Sequence, residues 1–405
     1  MKVYLDNNAT TNVAKEVYEA MIPYLTDRWG NPSSMHSFGG EVGKDVEKAR
    51  GKVAELIGAE PSEIVFTSCG TESDNMAIFG TLDAIQMPSK RHFITTKVEH
   101  PAVIASARAL ERQGYKVTYL SVDEKGRLDM DELRSSITGE TAMLSVMWAN
   151  NETGVIFPIE DIGRIAKAAG LIFHVDAVQA VGKIPINMRD STVDLLSMSG
   201  HKLHAPKGIG ALYIRRGTRI RPYLHGGHQE RGRRGGTENV PYIIGMGVAA
   251  ELAKKNAEEE NTKVKTLRDR LESGILDAVP NVLVNGDREN RLPNTANLSF
   301  EYVEGEAILL KLDELGIAAS SGSTYSSGSL EPSHVLRAMN VPYTAAHGSI
   351  RFSLSVYNTK EEIDYTVKHV PPVIETLRNI SPFWNDYIKG KNTHPEKHAG
   401  PYTKK

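Results

Sequence analysis

Between residues 62 and 214, short apolar runs of strand length alternate with helical stretches, and this alternation constrains the fold more than any other feature of the chain. Residues 63–68 (EIVFTS) read as a buried strand, and 71–85 follow with helical spacing. Further strand-length runs fall at 91–96, 116–122, 141–147, 171–175, 193–198 and 209–214. Helices are expected from Pro101, a favoured first position, and over 159–169, where Gly170 ends the helix. Repeated βα units predict a mainly parallel sheet covered on both faces. After about Glu251 the pattern changes to a charged amphipathic helix (263–279), short strands near 282–285 and 296–300, and helices over 305–314 and 360–377. The expected organisation is a large α/β domain over 15–255 and a smaller α+β domain from 1–14 with 256–385. Residues 386–405 read as a polar, turn-rich, disordered tail.

In open parallel sheets, ligands bind at the carboxyl ends of the strands. Polar clusters lie at such ends at 68–73, 99–100, 149–153, 176–179 and 199–204. Lys202, after an apolar strand and Gly200, is either a solvated lysine or the amine that joins an aldehyde cofactor. Asp176 closes a strand, and either caps the next turn or holds a ring nitrogen protonated. The turn 69–73 (CGTES) offers backbone N–H groups and a hydroxyl to an anion, or simply caps its helix. His100, before Pro101, suits acid–base work, ring stacking or a structural hydrogen bond. Arg351, in the strand-like run SIRFSLS, must be paired or functional, as a carboxylate clamp or a buried ion pair.

Other chemistries find less support. No G-x-x-x-x-G-K-[ST] pattern appears, and no G-x-G-x-x-G follows a strand. The pairs His201/His204 and His225/His228 lack a carboxylate or cysteine at ligand spacing, so no metal is expected. A net charge of −2 in 405 residues gives no overall attraction for nucleic acid or anionic membrane. The single cysteine, Cys69, excludes a disulfide within the chain and fits a reducing compartment. Neither a signal peptide nor an apolar run of spanning length is visible, so a cytoplasmic protein without a membrane partner is expected.

The segments LDNNATT, GNPSSMHSFG, TSCGTESDN, EHPAV, WANNETG, HVDAVQA, SGHKLHAPKG, GGHQERGRRGGTEN, NTANLSF and AASSGS resemble the cysteine desulfurases, most closely the NifS type, from about residue 3 to about 380. The resemblance implies a pyridoxal 5'-phosphate (PLP) enzyme of fold type I, aspartate-aminotransferase-like, acting as a homodimer. By motif it implies that Lys202 joins the cofactor, Asp176 pairs with its ring nitrogen, and Asn151 and Gln179 approach the ring hydroxyl. Thr71, Glu72, Ser199 and His201 would complete the cofactor site, with Thr237 reaching the phosphate from the other subunit. His100 would stack on the ring and move protons, while Asn31 and Arg351 would hold the substrate carboxylate. The implied reaction converts L-cysteine to L-alanine and passes sulfur to an iron–sulfur scaffold protein serving nitrogenase.

One position departs from the pattern. The family's loop reads approximately SSGSAC and its cysteine accepts sulfur, whereas residues 320–325 here read SSGSTY, placing Tyr325 at the cysteine position. A phenol, with pKa near 10 and a hard oxygen, is a poor sulfur acceptor. PLP and cysteine binding are therefore expected, with persulfide formation blocked. The alternatives are a non-catalytic PLP-binding partner in cluster assembly, or transamination or β-elimination on small amino acids.

Overall fold

A computed structural model describes residues 1–85, 87–321 and 332–390. The chain opens with a two-residue strand, Val3–Tyr4 (β1). Seven strands then build the main sheet: Ile64–Thr67 (β2), His92–Thr96 (β3), Lys116–Leu120 (β4), Thr141–Met147 (β5), Ile172–Asp176 (β6), Leu195–Ser199 (β7) and Gly210–Ile214 (β8). Their order is β2-β8-β7-β6-β5-β3-β4, and only β8 runs antiparallel to its neighbours. Each lies within a few residues of its expected run. The expectation of a mainly parallel α/β sheet holds.

Alternate residues of these strands feed separate cores. Ile64 and Phe66 pack on one face with the helices Ser37–Leu56, Ile159–Ala168 and Val240–Lys255. Val65, Phe93 and Leu212 pack on the other with Gly70–Ala84 and Pro101–Arg112. Alternation is the period of a pleated strand, and apolar residues at both phases mark strands buried on both sides.

A third core surrounds Val282–Val284 (β9), Thr295–Phe300 (β10), Ile317–Ala318 (β11) and Ser349–Ser353 (β12). Strands β12-β10-β9 form an antiparallel sheet, and β1 pairs in parallel with β11. The helices Lys265–Ala278, Gly305–Glu314 and Lys360–Ile380 cover it. The amphipathic helix expected over 263–279 is in fact preceded by a π-helical turn, Glu260–Val264, and becomes α-helical only at Lys265. Of the disordered tail expected over 386–405, residues 386–388 instead end the helix Pro382–Ile388, and residues 391–405 lie outside the described residues. Among the described residues, no helix is long and apolar enough to cross a membrane.

Candidate active site

The loops that leave the carboxyl ends of the parallel strands surround a cavity of about 370 Å³, within the range of small-molecule sites. All five polar clusters picked out in the sequence contribute to its lining, through Thr71, His100, Asn151, Asp176 and Lys202 among others. Asn8 and Ala9 from the N-terminal segment and Arg351 from β12 complete it.

Lys202 ends a short 3-10 turn, Gly200–Lys202, directly after β7. That turn is tight. A Cβ on Gly200 would lie 2.7 Å from Ile209 Cγ2 and 3.1 Å from Ala205 Cβ. Lys202 Nζ donates to the carbonyls of Asn8 (2.5 Å) and Ala9 (2.7 Å). Thr11 anchors the same segment, its N–H donating to His201 O at 2.9 Å. Burial, with the like charges of Arg351 and Lys183, brings the Lys202 pKa down to about 7. A substantial share of this amine is therefore unprotonated and nucleophilic near neutrality.

Asp176, at the end of β6, is 5% exposed. Its Oδ1 accepts from Val178 N at 2.9 Å. It therefore caps the following turn and lines the cavity as well, so the two alternatives posed by the sequence coexist. Burial pushes its pKa up, while the Val178 N–H and the charge of Lys202 pull against that. His100 caps the helix Pro101–Arg112, its Nδ1 accepting from Ala102 N at 3.2 Å. Burial holds its pKa below the ordinary histidine value. The ring is thus neutral near pH 7, with Nε2 left to carry the proton.

A neighbouring part of the lining suits an anion. Gly70 and Thr71 start the helix Gly70–Ala84 at the cavity wall, where unpaired backbone N–H groups and the helix dipole favour negative charge. Ser199 Oγ and Gln179 Oε1 are buried there without a hydrogen-bond partner. A buried orphan of this kind costs about 1–3 kcal/mol, so this lining is suited to a polar ligand. Gln179 is held through Nε2 to Asn8 O at 3.0 Å. His201 also lines the cavity, and burial lowers its pKa to about 4. A lysine of low pKa, a buried carboxylate, a neutral imidazole and an anion cradle together fit a phosphorylated aromatic aldehyde.

Other expected residues lie elsewhere. Glu72 is absent from the lining. Its carboxylate accepts from Ser68 N at 2.8 Å and from Arg234 Nε at 2.8 Å, which fixes the loop beside the anion cradle. Arg351 lines the cavity, donating from Nη2 to Asp6 Oδ1 (2.7 Å) and from Nη1 to Asn151 O (2.9 Å), while its Nε is buried without a partner. It is therefore ion-paired and at the site together. Asn31 Oδ1 accepts from Ser33 N at 2.9 Å; Asn31 and Thr237 are exposed and outside the lining. Tyr325 lies outside the described residues. Two lining residues, Asn8 and Asp74, were not singled out from the sequence, although the segments LDNNATT and TSCGTESDN contain them.

Residues 3–366 match the family Aminotransferase class-V. The chain is 64% identical to "Cysteine desulfurase 2" of Trichormus variabilis over 384 residues, covering 95% of this chain and 96% of that protein. It is 61% identical to "Cysteine desulfurase NifS" of Azotobacter vinelandii, covering 95% of each. A solved "NIFS-LIKE PROTEIN" superimposes with a TM-score of 0.88 at 42% identity, covering 93% of this chain and 100% of the other.

Proposed function

The chain belongs to the class V aminotransferase family, and from that premise we propose that it is a NifS-type cysteine desulfurase whose sulfur-accepting position is occupied by Tyr325. The cofactor of the family is pyridoxal 5'-phosphate. When bound, it supplies an electron-withdrawing ring that lets an amino acid release its α-proton.

The roles proposed for the chain's own groups are those the family resemblance implies, and the cavity that most of them share supports the assignment. Lys202 is the cofactor's covalent partner, and its amine, with a pKa near 7, exchanges protons with substrate at Nζ. Asp176 sets a fixed negative charge against the ring nitrogen. His100, neutral, covers the ring and moves a proton at Nε2. Asn151 and Gln179 approach the ring hydroxyl. Thr71, Ser199 and His201 hold the phosphate at the helix start. Arg351 receives the α-carboxylate of L-cysteine, with its guanidinium orientation set by Asp6 and by Asn151 O. Asn31 is assigned with Arg351 to the substrate carboxylate, and in a homodimer the other subunit would bring Thr237 to the phosphate.

A loop thiolate would attack the substrate sulfur, taking it as a persulfide as the carbon–sulfur bond breaks, and alanine would leave. Tyr325 offers only a phenol, so this step is blocked. Delivery of sulfur to an iron–sulfur scaffold protein in the cytoplasm for nitrogenase is the role of the intact reaction. The substitution also favours a second reading: transamination or β-elimination on a small amino acid, which needs no thiol on the loop.

The observation that carries the proposal is the half-buried Lys202 amine in one cavity with Asp176 and His100. Borohydride treatment of PLP-loaded protein should add the reduced cofactor's mass to the peptide containing Lys202; an unmodified Lys202 sinks the reading. Tyr325→Cys should restore matched release of alanine and sulfide from L-cysteine. Pyruvate formation by the unaltered chain would instead support β-elimination.

A further inference from the structure

Behind the cavity wall lies a polar cluster that the proposed chemistry does not use. Asp74, on the helix Gly70–Ala84, is 1% exposed, lines the cavity, and its Oδ1 has no hydrogen-bond partner. One ligand atom from each of Asp74, His100 and Asp176 lies within 4.8 Å of the other two. Two carboxylates this close, both buried, cannot both stay ionised without a cation between them.

Nearby groups supply no cation to Asp74. His174 Nε2 is 3.6 Å from Asp74 Oδ1, but the imidazole is fully committed: Nδ1 lies 2.8 Å from Ser145 Oγ, and Nε2 lies 2.9 Å from Ser197 Oγ. Ser197, the partner of His174 Nε2, also acts on the Asp74 carboxyl and lowers its pKa. Its hydroxyl has one proton to give. If that proton goes to Asp74, His174 must donate from Nε2 to Ser197 Oγ and accept at Nδ1 from Ser145. A single neutral tautomer satisfies every bond. Burial holds the His174 pKa at about 3, in line with that neutral form. The other titratable groups facing Asp74 are Asp176, Glu99, Cys69 and His100, and His100 is held neutral by burial, so none is cationic. Burial, with the charge of Asp176, pushes the Asp74 carboxyl well above its ordinary range. Asp176, by contrast, accepts the backbone N–H of Val178, and the charge of Lys202 also favours its ionised form.

We propose that Asp74 is a positioning residue that stays protonated in the working enzyme and turns its unpartnered oxygen on Asp176 as a hydrogen-bond donor. This deepens the reading in which Asp176 faces the ring nitrogen, and it rests on that reading. The proton on Asp74 lets Asp176 remain an oriented anion, and the Ser145–His174–Ser197 chain fixes which Asp74 oxygen points into the cavity.

The test uses PLP-loaded protein and infrared difference spectra at pH 7.5 between the unaltered chain and Asp74→Asn. A carboxylic acid carbonyl band should be present in the first and absent in the second; Glu99 and Glu152, common to both, cancel. Asp74→Asn keeps an N–H donor towards Asp176 and an acceptor for Ser197, so PLP affinity should be retained within about twofold. Asp74→Ala removes the donor and should weaken PLP binding about tenfold. The proposal is overturned if no Asp74-dependent acid band exists, or if Asp74→Asn loses PLP as Asp74→Ala does, since an ionised Asp74 would then be the working form. The infrared comparison decides the matter even if Asp74→Ala fails to fold. The borohydride label at Lys202, taken on the same samples, separates a failure here from a failure of the cofactor reading.

Discussion

At the scale of single residues, two lining groups separate cofactor binding from stability. Ser199 Oγ is buried without a partner in the chain alone, so its hydroxyl adds nothing to the cofactor-free fold. Ser199→Ala should leave the melting temperature of cofactor-free protein unchanged or slightly raised, yet weaken PLP binding about tenfold; equal losses in both assays would contradict this. Arg351 holds Asp6 and Asn151 O through separate nitrogens, and a lysine cannot reproduce that fork. Arg351→Lys should raise the L-cysteine concentration needed for half-maximal spectral change about tenfold while PLP affinity holds. Residues whose chemistry stands out, such as Lys202 and Asp176, were legible because each follows an apolar strand. Asn8 and Asp74 were not. Asn8 acts through its backbone carbonyl, which any residue carries, and Asp74 sits within a helix that the sequence accounts for by capping and spacing alone.

Among secondary-structure elements, the strands of the main sheet were legible, whereas the short strands β1 and β11 and two long helices were not. Ser37–Leu56 contains Gly39, Gly40, Gly43 and Gly51, and each glycine inside a helix costs about 1 kcal/mol relative to alanine. Local propensity therefore argues against a helix that packing then enforces. Val240–Lys255 is apolar over most of its length and is buried on several sides, so it lacks the one-sided period that marks a surface helix. The two pack where Gly247 faces Ala49, and a Cβ there would sit 2.7 Å from both Ala49 Cα and Cβ. Gly247→Val should push these helices apart and destabilise the protein by about 1–3 kcal/mol, seen as a lower denaturation midpoint. Gly247→Ala should do so less, and an unchanged midpoint for valine would show that the helices can slide.

Across the whole molecule, buried carboxyls set how stability responds to pH. Burial pushes Glu99 up to about 8 and Glu152 and Glu260 up to about 7. The stability such groups lend is complete below their unfolded value and is lost as pH rises through the folded one. Burial lowers His174 to about 3 and His201 and His204 to about 4; their share is complete above the unfolded histidine value and is lost as pH falls towards the folded ones. PLP-loaded protein should therefore hold a plateau between about pH 4.5 and 6.5 and weaken from there to about 8. Glu99→Gln should remove up to about 1.4 kcal/mol per pH unit of that decline; a slope unchanged by the substitution would show that Glu99 is ionised throughout. The sequence places residues 1–14 with the smaller domain, although they are too short to declare a core of their own. Folded, they belong to both parts: β1 pairs with β11, Asn7 Nδ2 reaches Ser353 O across 346 positions, and Ala9 O holds Lys202. The N-terminal segment thus waits for a strand some 346 positions further along the chain before it can close the pocket. Ordering that waits on such distant contacts is slow, so a nascent chain halted before β12 should assemble most of its main sheet while still failing to capture PLP.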